Sequence, residues 1–159
     1  QAYLTNNDST KIVVSPYIEA PTTEAGDART SGGGNDSLNG IETIVGTNPT
    51  TFSGVIRSQS QAVIKAMKLL MGEAKAHNLG VYLVNENGQY GCVDTSTILT
   101  GTVGAIPIEN LFIGDKSFGG LEAPDENAIS WSFRPNYSDD FKVVTPNYNP
   151  LTDLIPAQQ

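Results

Sequence analysis

The stretch 58–80 constrains this chain most, because only there do apolar residues recur with a helical period. Val63, Ile64, Met67, Leu70, Met71 and Ala74 follow the i, i+3, i+4, i+7 spacing of one helix face. Lys65, Lys68 and Lys75 fall off that stripe. Ser58 followed three residues later by Gln61 fits a capping box, in which each side chain satisfies a backbone N–H at the helix start. His77, Asn78 and Gly80 supply a C-terminal stop. The spacing therefore predicts a helix over 58–80, roughly 30 Å long at about 1.5 Å per residue. Its apolar stripe needs a partner, and the rest of the chain offers only strands.

Charge is scarce and unevenly placed. The 159 residues are 38% apolar and only 16% charged, which suits a β-rich chain that turns much of its surface toward neighbours. The net charge of −8 divides into −4 over 1–55, +3 over 56–80 and −7 over 81–159. That layout argues against gripping a phosphate backbone, which takes clustered Lys and Arg, so no specific nucleic-acid binding is expected. It allows the basic helix of one subunit to face an acidic surface of another. The single cysteine, Cys92, excludes an intrachain disulfide. No run approaches the ~20 apolar residues of a membrane span, and no signal-peptide pattern is visible. At this length the expectation is one domain with a single core.

The rest of the chain reads as strands, turns and loops. Residues 1–10 are polar and read as an arm. Lys11–Ser15 is a short strand candidate ended by Pro16, and Pro16 and Pro21 keep the residues between them extended. From 24 to 40 the chain is Gly, Ser, Asn and Asp with almost no apolar residue, and is expected to be a mobile loop or one ordered only by a neighbour. It lacks the Lys-Ser or Lys-Thr of a phosphate-binding loop. Ile41–Gly46 and Phe52–Ile56 are strand candidates, with Phe52 and Val55 placed to staple the helix entry.

Strands are predicted at 81–84 and 89–93, joined by a type I′ turn at Asn87-Gly88. Thr95–Gly104 is Thr-rich and a candidate for a further strand, and Gly114–Asn127 reads as a long acidic loop. Ala128–Arg134 alternates, with Ile129, Trp131 and Phe133 on one face, and is expected to pair as a hairpin with 141–145. The proline-rich tail 146–159 should be extended, with Leu151, Leu154 and Ile155 as apolar anchors. The fold class expected is α+β: a mainly antiparallel sheet or sandwich with one amphipathic helix, long loops and terminal arms.

Chemistry is thinly represented. His77 is the sole histidine and sits at the helix end, where the dipole favours a cation. Nothing around Cys92 or any serine forms a nucleophile elbow. One Cys and one His cannot supply the usual zinc ligands. Asp115, Glu122, Asp125 and Glu126, with Asp139 and Asp140, carry the oxygen chemistry of a calcium site but not the spacing of an EF-hand. No enzymatic role, cofactor or metal is expected.

Several pieces, in order, resemble virion structural proteins of tailed bacteriophages. They are Val81-Tyr82-Leu83-Val84-Asn85, Leu111-Phe112-Ile113-Gly114-Asp115-Lys116, Gly119-Gly120-Leu121, and Trp131-Ser132-Phe133 with Tyr137-Ser138-Asp139. The resemblance covers roughly 50–150 and brings no catalytic residues. It implies a tail-tube, head–tail connector or capsid-associated subunit in a virion: a β-domain flanked by one helix, with arms that bridge neighbours. The expected partners are further copies of the chain, in a ring, tube or filament, and other virion proteins. The residues expected at the subunit interface are Lys65, Lys68, Lys75, Leu151, Leu154 and Ile155. Two alternatives stand beside this one. One is a secreted filament or cell-surface subunit, with Gln1 left by a signal peptidase. The other is a calcium-dependent carbohydrate-binding module.

Overall fold

The computed structural model describes residues 12, 14–94 and 103–153. In chain order the strands are β1 (Glu19–Glu24), β2 (Ala28–Gly32), β3 (Glu42–Thr47) and β4 (Thr50–Arg57). The helix α1 (Gln61–Lys75) follows. Then come β5 (Gly80–Val81), β6 (Leu83–Val84), β7 (Tyr90–Asp94), β8 (Val103–Gly104), β9 (Ile106–Ser117), β10 (Glu126–Phe133) and β11 (Phe141–Val144), and a short helix α2 (Pro150–Asp153). The fold is α+β and mainly antiparallel β, with one helix of more than a single turn among the described residues. None of these helices is long and apolar enough to cross a membrane. The chain divides into two compact units, one of residues 18–79 and 107–137, the other of 1–17, 80–106 and 138–159.

The first unit is built on the β4–β10 pair. All eight residues of β10 are in register with β4, from Glu126 opposite Arg57 to Phe133 opposite Thr50. Alternation then puts Asn127, Ile129, Trp131 and Phe133 on one buried face. Trp131 lies directly opposite Phe52, and their rings stack with centroids 4.0 Å apart. Phe133 meets both edge-on and stacks on Tyr137 at 4.5 Å. Ile56, Ile108, Leu111 and Ile113 complete the core. Trp131 Nε1 is buried without a hydrogen-bond partner among the described residues. A lone buried N–H costs about 1–3 kcal/mol. Burying an indole removes about 150–250 Å² from water, worth roughly 4–6 kcal/mol at 25 cal/mol per Å², so burial wins.

β1 flanks β4 and β9 flanks β10, all antiparallel. β9 carries two extra residues. Between Ser130 and Ser132 of β10 it advances from Phe112 to Glu109, and between Asn127 and Ile129 from Lys116 to Ile113. Asn110 takes a left-handed conformation (φ 56°) at the first bulge. The second is closed by the buried Asn127, whose Nδ2 donates to the Gly114 carbonyl at 3.0 Å. Bulges bend the strand that carries them and increase local twist, which accounts for the curl of this sheet. Arg57 ties the three strands at one end, paired with Glu19 of β1 and 3.5 Å from Glu126 of β10.

Helix α1 keeps the expected apolar stripe. Ile64 and Ala74 are buried, and Val63, Met67, Leu70 and Met71 are half-buried. It runs antiparallel to β9: Lys68 pairs with Asp115, His77 lies 3.3 Å from Glu109, and the Leu79 carbonyl accepts from Ile108 N–H. The helix is shorter than the expected 58–80. Ser58 has φ 53° and lies outside it, so no capping box forms, and Ser60 is the N-cap, accepting from Val63 N–H. At the other end Asn78 N–H donates to Glu73 and His77 N–H to Ala74, the paired bonds of a Schellman motif. His77 holds the left-handed position (φ 58°) that glycine usually takes.

In the second unit β7 is central, with β11 on one side and β6 and β8 on the other. Cys92 is fully buried and its thiol donates to the Lys142 carbonyl at 3.4 Å. The β6–β7 hairpin forms as expected, but its turn is not type I′. Asn87 does not have positive φ; Gly88 alone does, and its N–H donates to the Asn85 carbonyl, closing a three-residue loop.

Other expectations are corrected. Strand 128–134 does not pair with 141–145, because β10 is taken on both edges by β4 and β9, and β11 pairs with β7. The expected acidic loop 114–127 is shorter than expected: 118–125 is loop, while 114–117 extend β9 and 126–127 begin β10, the β9 bulge having hidden the period there. Phe52 is a core residue of β4, not a staple. The tail is not wholly extended: Pro150–Asp153 form a helical turn, capped by Asn149 Oδ1, which accepts from Leu151 N–H. The arm 1–10, residues 95–102 of the Thr-rich strand, and Leu154 and Ile155 lie outside the described residues. Of the strand expected at 11–15, Ile12, Val14 and Ser15 are described and carry no regular structure.

Two stability outcomes are expected. Asn127→Ala leaves the Gly114 carbonyl without its donor and should cost about 1–3 kcal/mol in thermal or urea unfolding, with Asn127→Asp, an acceptor in the same place, no better. His77→Gly should relieve the left-handed strain and raise stability by about 1 kcal/mol, whereas His77→Ala should give no gain.

Candidate interaction surface

Within the expected loop 24–40, residues 28–32 form strand β2, which makes a β-hairpin with β3, the strand expected at 41–46. β2 pairs with β3 from Ala28 opposite Thr47 to Gly32 opposite Glu42, with one extra residue at Val45. Its far end, 33–41, is folded into two short 3-10 turns. Ser37 organises them: its hydroxyl accepts from Gly33 N–H at 2.9 Å and its carbonyl from Gly40 N–H at 3.1 Å. The glycines concealed the hairpin because they carry no side chain to show the period of two.

This hairpin continues the β1–β4 pair past a kink. Glu24 is opposite Thr51 in the sheet, and Ala28 is opposite Thr47 in the hairpin. At the kink the strands touch backbone to backbone. Asn48 N–H donates to the Asp27 carbonyl at 2.9 Å, and a Cβ at Gly26 would lie 1.9 Å from the Asn48 carbonyl oxygen. Only glycine fits there, and Pro49 ends the ladder on the facing strand.

Beyond the kink the hairpin is a two-stranded ribbon. Between Asp27 and Pro49 every residue is exposed except Gly33, Ser37 and Gly46, which are half-buried. Leu38 is 87% exposed, Ile41 64%, Ile44 68% and Val45 58%, so the ribbon offers apolar groups on both faces. An isolated two-stranded ribbon is at best marginally stable in water. Glu24, Asp27, Asp36 and Glu42 line it and its base, and none makes an ion pair among the described residues.

The residues expected at an interface fall in separate places. Lys65 and Lys75 are exposed on α1 without an ion pair among the described residues. Lys68 is half-buried, and its partner is in the same chain: Asp115, whose carboxyl the bonded ammonium holds below the ordinary aspartate range. Leu151 is 45% exposed and lines an open hollow with Asn87, Gly88, Thr145, Tyr148 and Asn149.

Several of the residues considered for chemistry are occupied with structural contacts. His77 faces Glu109, and Glu109 accepts from Arg134 Nε at 2.8 Å. That hydrogen bond, aided by His77, holds the Glu109 carboxyl below its usual range. Burial raises the Cys92 thiol pKa, which suits an inert packing thiol. Of the acidic residues weighed for calcium, Asp115 pairs with Lys68, Asp125 lies 3.8 Å from Lys116, and Glu126 lies near Arg57. Among the described residues no three potential ligands come together.

A depressed carboxylate contributes stability that is present above its ordinary pKa and lost as pH falls through the lowered value. For Asp115 and Glu109 that window lies below the ordinary carboxylate range. In an NMR carboxyl titration, Lys68→Ala should bring Asp115 back toward the ordinary value and leave Glu109 unmoved.

No family model matches this chain, and comparison with curated proteins and with solved structures likewise gives no match.

Proposed function

We propose that this chain is a non-enzymatic, self-assembling structural subunit, and that its place is in a virion, as a tail-tube or connector component of a tailed phage. The observation that carries the assembly reading is the free-standing ribbon 27–49. It leaves Leu38, Ile41, Ile44 and Val45 in solvent on an element that the other described residues do not cover. Scattered surface hydrophobics need no explanation, but an ordered two-stranded projection carrying four of them fits a group that is buried in an assembly. Low charge elsewhere suits close contact between like subunits. The virion assignment rests on the resemblance of the stretches within 50–150.

The test is sedimentation velocity with electron microscopy on the full chain at micromolar concentration. Rings, tubes or filaments are expected. Replacing 28–47 by two glycines should leave a monomer, lighter than the 16.9 kDa of the full chain, with unchanged near-ultraviolet dichroism from Trp131. A wild-type chain that stays monodisperse at that mass up to hundreds of micromolar would overturn the reading.

A further inference from the structure

The second unit carries a hollow that its core does not use. Two loops bound it: the β6–β7 turn at 86–88, and the segment 145–151 that leads from β11 into α2. It is open to solvent and holds about 370 Å³, at the small end of the range for small-molecule sites. The two walls are tied together. Gln89 Nε2 donates to Thr145 Oγ1 at 3.3 Å, and a Cβ added at Gly88 would lie 3.4 Å from Pro150 Cδ. Each loop is also braced from within: Asn85 Oδ1 accepts from the N–H groups of Asn87 and Gln89, and Asn149 Oδ1 from that of Leu151.

Tyr148 supplies an aromatic surface in this hollow. It is 47% exposed, and its hydroxyl is hydrogen-bonded to that of Tyr90 on the central strand β7. Tyr90 in turn meets Tyr82 edge-on, with centroids 5.9 Å apart. The Tyr148 ring is therefore held at its hydroxyl end while much of its surface stays in water. The polar lining is largely amide, and the side chains of Asn87 and Asn147 make no hydrogen bond among the described residues. Glu86 is the one charged residue among those that line the hollow, with no Lys or Arg beside it. This lining selects by chemistry. A phosphate or carboxylate would meet a carboxylate and no cation to offset it. A purely apolar ligand would strip water from the amides and return no hydrogen bond. A ligand dense in hydroxyls but with an apolar ring face answers both: each amide gives a donor and an acceptor to neighbouring hydroxyls, and the phenol ring packs on the C–H face.

We propose that this hollow binds a neutral carbohydrate, one sugar ring lying against Tyr148 with its hydroxyls on Asn87 and Asn147. The contacts are made by amide and ring groups, so the site needs no metal; Asp115, Glu122, Asp125, Glu126, Asp139 and Asp140 are not among the residues that line it. The bracing of both loops means that little ordering remains to be done on binding, which favours affinity. The site belongs to the second unit alone and does not depend on the assembly reading above.

Saturation-transfer difference NMR on the full chain tests it, because the method reads the sugar and serves for a monomer and an assembly alike. The probes are the methyl glycosides of glucose, galactose, mannose and N-acetylglucosamine, with glycerol as the control. Transfer to the ring C–H protons of at least one sugar is expected, with millimolar affinity for so open a site and no change on adding EDTA. Tyr148→Ala should weaken that binding about tenfold, whereas Tyr148→Phe, which keeps the ring and loses only the tie to Tyr90, should weaken it less. Asn87→Ala with Asn147→Ala removes exposed side chains that have no partners to lose, so it carries the test if Tyr148→Ala fails to fold, and it too should weaken binding. No transfer to any of these sugars overturns the proposal, as does equal transfer to glycerol. Loss of binding in EDTA would point to a bound cation and overturn it as well. Binding that survives Tyr148→Ala and the paired asparagine variant lies elsewhere and overturns this site, while each of these outcomes leaves the assembly reading untouched.

Discussion

The stack of Phe52 on Trp131 is the contact on which the first unit depends. The two residues lie directly opposite in a pairing that runs the full eight residues of both strands without a shift. Slipping that register by one residue would turn Asn127, Ile129, Trp131 and Phe133 out to solvent. The cost of that loss, several kcal/mol for the indole alone, pins β4 against β10. The ribbon and the helix are both anchored through β4. The ribbon enters it through the Asn48-Pro49 kink, and three residues separate Arg57 from the start of α1. A well-packed strand pair thus holds two exposed apolar surfaces at its ends.

The second organising device is the double bulge of β9. Each extra residue leaves the inward side of the strand apolar, with Ile108, Leu111 and Ile113 buried, while re-aiming Glu109 and Asp115 toward α1. The ion pairs so made are exposed, and pairs of that kind contribute about 0–1 kcal/mol each. Their effect is on placement: they align the helix with β9 at two points about a dozen ångströms apart along its axis. Buried area holds the helix down, and the charges fix its register. Lys68 is consumed in this way, which leaves Lys65 and Lys75 as the helix lysines open to a neighbour.

Several elements were legible in the sequence because a side-chain period spelled them out. The stripe from Val63 to Ala74 gave α1, and the alternation Ile129, Trp131, Phe133 gave the inward face of β10. The β6–β7 hairpin was legible from its turn residues. The α+β class followed from these. Of the ribbon, β3 was legible as a strand at 41–46, but β2 was not, since Gly32, Gly33 and Gly34 erase the period, and β3 reads the same whether its faces are covered or bare. β9 was obscured for a related reason: two bulges break an alternation that a regular strand would have shown.

The sequence by itself determined local preference: where a helix face is continuous, where proline and glycine stop a ladder, and where charge is scarce. Partner choice was decided only by the tertiary structure. Strands 128–134 and 141–145 look like a hairpin in sequence, yet β10 pairs along its full length with β4 and β11 pairs with β7, because pairing energy depends on which apolar faces coincide in space rather than on proximity along the chain. The helix start followed the same logic. Ser58 and Ser60 are both competent caps, and the chain direction imposed on leaving β4 gives Ser58 a left-handed backbone and hands the cap to Ser60. The exposed ribbon and the exposed Leu69 are tertiary facts as well, since exposure is set by which surfaces the fold leaves uncovered.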